Sequence, residues 1–176
     1  MTMRRVKLDR IDRRILRDLQ ADGRMTNVEL ARRAGISAPP CLRRVRALEE
    51  AGYIRGYHAD INPESMGFHV TVFAQVGLSS QAETDLKRFE SLVNSWPEVR
   101  ECNMLAGETD FLLKVVAVDW DSYQRFLTTK LTAAPNVSHV KSALAIRQSK
   151  YEPGVPIDVD VGPETKDDDE DYDDEA

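Results

Sequence analysis

Three arginines fall within four residues in Pro39-Pro40-Cys41-Leu42-Arg43-Arg44-Val45-Arg46, in a 176-residue chain whose formal net charge is −6. A guanidinium is planar, permanently charged and rich in paired donors, so such a cluster suits phosphate oxygens or a guanine edge. A solvated amphipathic helix is the plainer use of the same residues. A second candidate is the turn Gly107-Glu108-Thr109-Asp110. A free amino acid requires a carboxylate for its ammonium and amide donors for its own carboxylate, and this turn could help supply both. On residue chemistry alone, an ordinary hairpin turn is the stronger reading of that stretch.

Other chemistries find little support. His58, His69 and His139 are scattered without metal-ligand spacing, and no nucleophile motif, P-loop or GxGxxG is present. No catalytic residue, metal ligand or cofactor is therefore assigned. Cys41 and Cys102 lack CxxC spacing and lie far apart, which argues against a disulfide framework and fits a reducing cytoplasm. Cys41, beside the arginines, could be a low-pKa redox switch, but a small residue filling a helix start is the simpler assignment.

These candidates need elements to position them. Leu8, Ile11, Ile15 and Leu19 recur at helical spacing behind Asp9, a suitable N-cap, and Asp22-Gly23 supplies a stop. Thr26-Asn27-Val28-Glu29 reads as a capping box opening a short second helix to about Arg33. Ala34-Gly35-Ile36 forms a tight turn, and Ser37 caps a third helix whose first turn holds Pro39 and Pro40, where a missing N–H costs little. Leu42, Val45 and Leu48 form its expected buried stripe, which leaves Arg43, Arg44 and Arg46 at other angles. Tyr53 to Ala59 reads as a short extended segment or wing, completing a winged helix-turn-helix.

Beyond Gly67 the period changes to two, and a strand is expected from Phe68 to Leu78. Leu86, Phe89, Val93 and Trp96 then mark one face of a helix. Strands come next at Val99 to Ala106 and Phe111 to Ala117, then a helix through Tyr123, Phe126, Leu127 and Leu131, and a last strand from Val137 to Ile146. The order βαββαβ predicts a ferredoxin-like sheet with both helices on one face, and self-association is the obvious cover for the other. The fold class is thus α+β: an N-terminal winged helix-turn-helix followed by a ferredoxin-like domain. The expected boundaries are 1–60, a linker at 61–67, the second domain at 68–157 and an acidic tail at 158–176.

Charge divides along similar lines. Residues 1–60 carry fourteen Lys and Arg against eight Asp and Glu, residues 61–150 nine against ten, and residues 151–176 one against twelve. The head's excess is nearly all arginine, which favours phosphate partners. The tail's composition cannot bury a core and predicts disorder, leaving it either a solubility role or competition with DNA for the basic head. The charged amino terminus MTMRRVKLDRID has no apolar core, and the longest apolar run, Phe111 to Val118, is interrupted by Lys114, which argues against a signal peptide or membrane span.

The stretches LDRIDRRILRDLQADGRMTNVELARRAGIS and PPCLRRVRALEEAGYIRGYHADINPESMGF closely resemble the DNA-binding half of Lrp/AsnC (feast/famine) transcriptional regulators. The second half, through ECNMLAGETDFLLKV, looks like that family's ligand-sensing domain, so the resemblance spans about residues 8–157. It implies a cytoplasmic regulator that is not an enzyme. It implies dimers paired through their sensing domains, often assembled further around a closed ring, that bind double-stranded promoter DNA and respond to a small effector, commonly an amino acid. On this chain the DNA-binding residues would be Asn27, Arg32, Ser37, Pro39, Arg43, Arg44 and Arg46. The effector pocket would use Gly107, Glu108, Thr109 and Asp110, with Glu108 where the family more usually has aspartate. Two alternatives share parts of this architecture: siroheme decarboxylases, which do not act on DNA, and a stand-alone metabolite-binding module, for which the basic head would have no purpose.

Overall fold

The computed structural model describes residues 7–160, and the chain divides into two compact units. Of the described residues, the first comprises 7–59 together with 152–160; the second is Asp60–Tyr151. Residues 152–157 thus pack with the first unit, not with the second, to which the expected boundary assigned them. Most of the acidic tail, residues 161–176, lies outside the described residues.

In the first unit, α1 (Arg10–Ala21), α2 (Asn27–Ala34) and α3 (Ala38–Glu50) surround a core of Ile15, Leu30, Ala31, Ala34, Cys41 and Leu48. The Asp9 carboxylate accepts the Asp12 N–H at 2.8 Å and the Asp12 carboxylate accepts the Asp9 N–H at 3.2 Å, a reciprocal cap that starts α1. At α2 only half of the expected box forms. Thr26 Oγ1 accepts the Glu29 N–H, but the Glu29 carboxylate turns outward to Arg32 and Arg33. Gly35 ends α2 with φ 76° and ψ 32°, a left-handed conformation that a Cβ would disfavour. The Ile36 N–H then closes onto the Ala31 carbonyl at 3.0 Å.

The stripe on α3 differs from expectation. Cys41 and Leu48 are fully packed and Val45 lies against them, whereas Leu42 is 39% exposed. Ser37 occupies the N-cap position without a side-chain cap bond. The segment after Gly52, expected as a short extended segment or wing, forms no strand among the described residues.

The second unit is a four-stranded antiparallel sheet in the order β2-β3-β1-β4, from β1 (Val70–Leu78), β2 (Val99–Met104), β3 (Phe111–Ala117) and β4 (Val137–Leu144). Helices α4 (Glu83–Asn94) and α5 (Trp120–Phe126) complete the βαββαβ order, α5 passing into a π turn at Leu127–Leu131. Alternation along the central strands sends Val72, Ala74 and Val76 of β1 and Phe111, Leu113 and Val115 of β3 into a core with Phe89, Val93, Tyr123 and Phe126. On the opposite face Phe73 is exposed, and Leu112 and Val116 are only half-buried.

Candidate nucleic-acid interface and effector turn

The arginines of the first unit sort by partner. Arg44 Nη1 donates to Asp9 Oδ2 and to Asp12 Oδ1, each at 2.7 Å, and so locks α3 to the capped start of α1. Asp12 is nearly buried, with a side chain 10% accessible. Burial raises the Asp9 pKa, but the Asp12 N–H and the Arg44 guanidinium outweigh it and leave the carboxyl below its ordinary value. The Arg44 pKa rises, chiefly through its bond to Asp12. Arg44 thus braces α3 against the start of α1.

Asn27 is engaged similarly. Its Nδ2 donates to the Ala38 carbonyl at 2.9 Å, stitching the start of α2 to the first turn of α3. Its Oδ1 is buried without a partner among the described residues. On the outer side of α2, Arg32 grips Glu29 through two bonds of 2.7 and 2.8 Å, and Arg33 adds a third at 2.8 Å. Together these donors pull the Glu29 pKa down to about 2. Because Arg32 remains largely exposed, its pair is weak enough to exchange for a phosphate.

Ser37, Pro39, Arg43 and Arg46 are exposed, and neither Arg43 nor Arg46 has a hydrogen bond or ion pair among the described residues. A helix that follows a tight turn, with two free guanidiniums and an open amino end, has the form that enters a major groove and meets phosphates on its rim. Cys41 is sealed beneath that face. Burial raises its pKa against the opposing pull of Arg44, which suits a filler and not a reactive thiolate.

In the second unit the Gly107–Asp110 turn joins β2 to β3. Asp110 is 9% exposed and both of its carboxylate oxygens are engaged: Oδ2 accepts the Leu78 N–H at 2.6 Å, and Oδ1 accepts a hydrogen bond from Gln81 Nε2 at 2.8 Å. Its own N–H donates to the Val76 carbonyl, and its carbonyl accepts the Leu105 N–H. Asp110 therefore shapes the turn and ties it to the end of β1. Gln81 had no sequence signal for this role, since it lies 29 residues away. Gly107 and Glu108 are exposed and Thr109 is half-buried.

A helix-turn-helix with a groove-ready third helix, coupled to a ferredoxin-like unit with a structured turn, defines a DNA-binding transcriptional regulator with a ligand-binding domain. Residues 8–55 match the family model described as winged helix-turn-helix DNA-binding, and residues 71–155 match the Lrp/AsnC ligand binding domain. The chain belongs to the Lrp/AsnC family. It is 56% identical over 146 residues to a leucine-responsive regulatory protein of Rhizobium meliloti, covering 83% of this chain and 94% of that one. It is 42% identical over 151 residues to the Bkd operon transcriptional regulator of Pseudomonas aeruginosa, covering 86% and 99%. Among solved structures, a Neisseria meningitidis transcriptional regulator in complex with L-Met is 37% identical with a TM-score of 0.81, covering 85% of this chain and 96% of that one. An AsnC family regulator from Agrobacterium tumefaciens has the same identity and TM-score, covering 88% and 100%. Neither family match extends into residues 161–176. Among the described residues no helix is long and apolar enough to cross a membrane, and no cluster of metal-binding side chains occurs.

Proposed function

We propose that this chain is a cytoplasmic, non-enzymatic transcriptional regulator that binds promoter DNA as a homodimer or higher oligomer and changes affinity on taking up a free amino acid. The observation that carries the reading is the exposed face of α3, where Arg43 and Arg46 have no ion pair among the described residues and Ser37 and Pro39 stand at the helix start. Arg43 and Arg46 take phosphate or guanine, the helix start enters the groove, and Arg32 exchanges Glu29 for a backbone phosphate. Asn27 and Arg44 hold this surface in shape.

The effector reading rests on the Gly107–Asp110 turn and on the L-Met complex of the Neisseria relative. Glu108 receives the ammonium, backbone amides of the turn receive the carboxylate, and Asp110 keeps the turn in place. The incompletely covered sheet face with Phe73, Leu112 and Val116 supports pairing of two sensing units.

The decisive experiment is a DNA-shift assay on the protein's own upstream region, repeated with each of the twenty amino acids. Binding that one or a few of them alter is expected. Folded protein that ignores all duplex DNA, or that develops a Soret band with an added tetrapyrrole, would overturn the proposal in favour of the decarboxylase-like reading.

A further inference from the structure

The chain returns to its DNA-binding unit just before its most acidic stretch. Gln20 on α1 holds Val155 by two bonds, Nε2 to the Val155 carbonyl at 2.8 Å and the Val155 N–H to Oε1 at 3.1 Å. Gly154 makes this possible: its φ is 89°, and a Cβ there would overlap the Gln20 carboxamide. Val155, Pro156 and Ile157 line a cleft of about 590 Å³ with Leu16, Leu19 and Tyr57. At the end of this strap Arg10 Nη2 meets Asp160 Oδ1 at 2.7 Å. Arg10 directly follows Asp9, which binds Arg44 on α3. The strap therefore delivers the chain to the α1 residue beside the α3 brace, and Arg43 and Arg46 lie on either side of that brace in sequence.

Beyond Asp160 the chain continues through residues 161–176, with nine acidic residues against one lysine and the run Asp167-Asp168-Asp169-Glu170-Asp171-Tyr172-Asp173-Asp174-Glu175. Sixteen residues reach at most about 50 Å at some 3.3 Å each, ample for the face of α3 from a start at Arg10. We propose that the strap at 152–160 presents residues 161–176 to the free arginines of α3 as an intramolecular competitor of DNA. The inference rests on α3 being the DNA-binding face. It selects an occupant by charge complementarity: carboxylates carry the charge of phosphates but cannot reproduce base-edge contacts. The competitor thus suppresses nonspecific binding more than operator binding and raises the preference for the operator.

The size of the effect is set by tethering. An effective concentration of about 1 mM, set against a dissociation constant of about 0.1 mM at the weak end of nonspecific phosphate binding, reduces nonspecific affinity by roughly tenfold at low salt. The effect fades as the screening length shrinks toward about 8 Å at physiological ionic strength.

The test compares the full chain with a chain ending at Asp160, and with a full-length chain in which the eight carboxylates of residues 167–175 are replaced by Asn or Gln. Fluorescence anisotropy on a random-sequence duplex, titrated with salt, is the readout. Both variants should bind roughly tenfold tighter than the full chain at low salt, and all three should converge as salt rises. Gln20→Ala, which releases the strap without touching α3, should fall between the full chain and the truncation. Equal affinities for the full and truncated chains would leave the tail a solubility role only and overturn the proposal, while DNA binding itself would remain visible in both. A gain on truncation that charge neutralisation does not reproduce would also overturn it. So would a Gln20→Ala variant identical to the parent. Failure of every variant to bind any duplex would instead sink the reading of α3.

Discussion

Arg43 and Arg44 are adjacent and chemically identical, but of the two only Arg44 has an ion pair among the described residues, so alanine at each should separate DNA affinity from stability. Removing the Arg44 guanidinium deletes two bonds of 2.7 Å and leaves Asp12, whose side chain is 10% accessible, with only the Asp9 N–H as a donor. Breaking a fully buried pair costs about 3–5 kcal/mol, and an exposed one contributes about 0–1. Here Asp12 is enclosed, but Arg44 is 34% and Asp9 49% accessible, so solvent screening places the cost between those limits, at about 1–3 kcal/mol. At roughly 4–8 °C per kcal/mol for a small domain, Arg44→Ala should lower the melting transition of the DNA-binding unit by about 5–20 °C. Arg43→Ala should leave that transition within about 0.5 kcal/mol of the parent, because the side chain is exposed and no hydrogen bond or ion pair among the described residues is lost. It should instead flatten the log–log salt dependence of DNA binding by about 0.9 for one lost phosphate contact. Calorimetry or near-ultraviolet circular dichroism gives the first quantity and a salt titration the second. An Arg44→Ala protein of unchanged stability whose salt slope falls by about the same 0.9 would refute the assignment and return Arg44 to the DNA.

Three further outcomes are expected. Carbon-detected NMR should show Glu29 ionised down to about pH 2. Its folded pKa is depressed, so its contribution is fully present above the ordinary carboxylate pKa of about 4.5 and is lost as pH falls toward 2; titration near 4.5 would mean that Arg32 and Arg33 are not held there. Asp110→Ala should destabilise the sensing unit by about 1–3 kcal/mol, because it orphans the buried Leu78 N–H, whereas Glu108→Gln should keep stability but weaken the effector response; the reverse pattern in melting and DNA-shift assays would exchange their roles. Thiol labelling of the native protein at neutral pH should be slow at both cysteines, since burial raises the Cys41 pKa and, with Glu90 adding to it, pushes Cys102 up to about 11; rapid modification of Cys41 would reopen the redox-switch reading.

The features legible in the sequence are those whose causes are local. Asp9 caps α1, Gly35 turns left-handed, and the alternation in β1 and β3 buries one face because each rests on a periodicity or conformation encoded within a few residues. The stripe of α3 shows where that logic fails. Leu42, Val45 and Leu48 fit helical spacing as well as Cys41, Val45 and Leu48 do, and only packing against the first two helices decides that Cys41 goes inward. At Glu29 two competing partners lie on the same helix, and a bidentate Arg32 bond wins over the backbone N–H that a capping box would use. The strap is harder still. The expected boundaries divided it between the second domain and the acidic tail, while its anchor, Gln20, is 135 residues away.

Counting charge has the same limitation, with a direct functional consequence. The sequence assigns three arginines to the open face of the third helix, but Asp9 and Asp12 claim the middle one, just as Glu29 claims Arg32 and Arg33 and Asp160 claims Arg10. Arg43 and Arg46 are left as the α3 arginines without a carboxylate among the described residues. An ion-paired arginine can bind phosphate only by surrendering its carboxylate, which is cheap for the exposed Arg32 on half-buried Glu29 and costly at the enclosed Asp12. The number of phosphates that α3 neutralises should therefore be set by enclosure and not by arginine count. Two contacts correspond to a salt-slope contribution of about 1.8 from this helix, against about 2.7 if all three engaged.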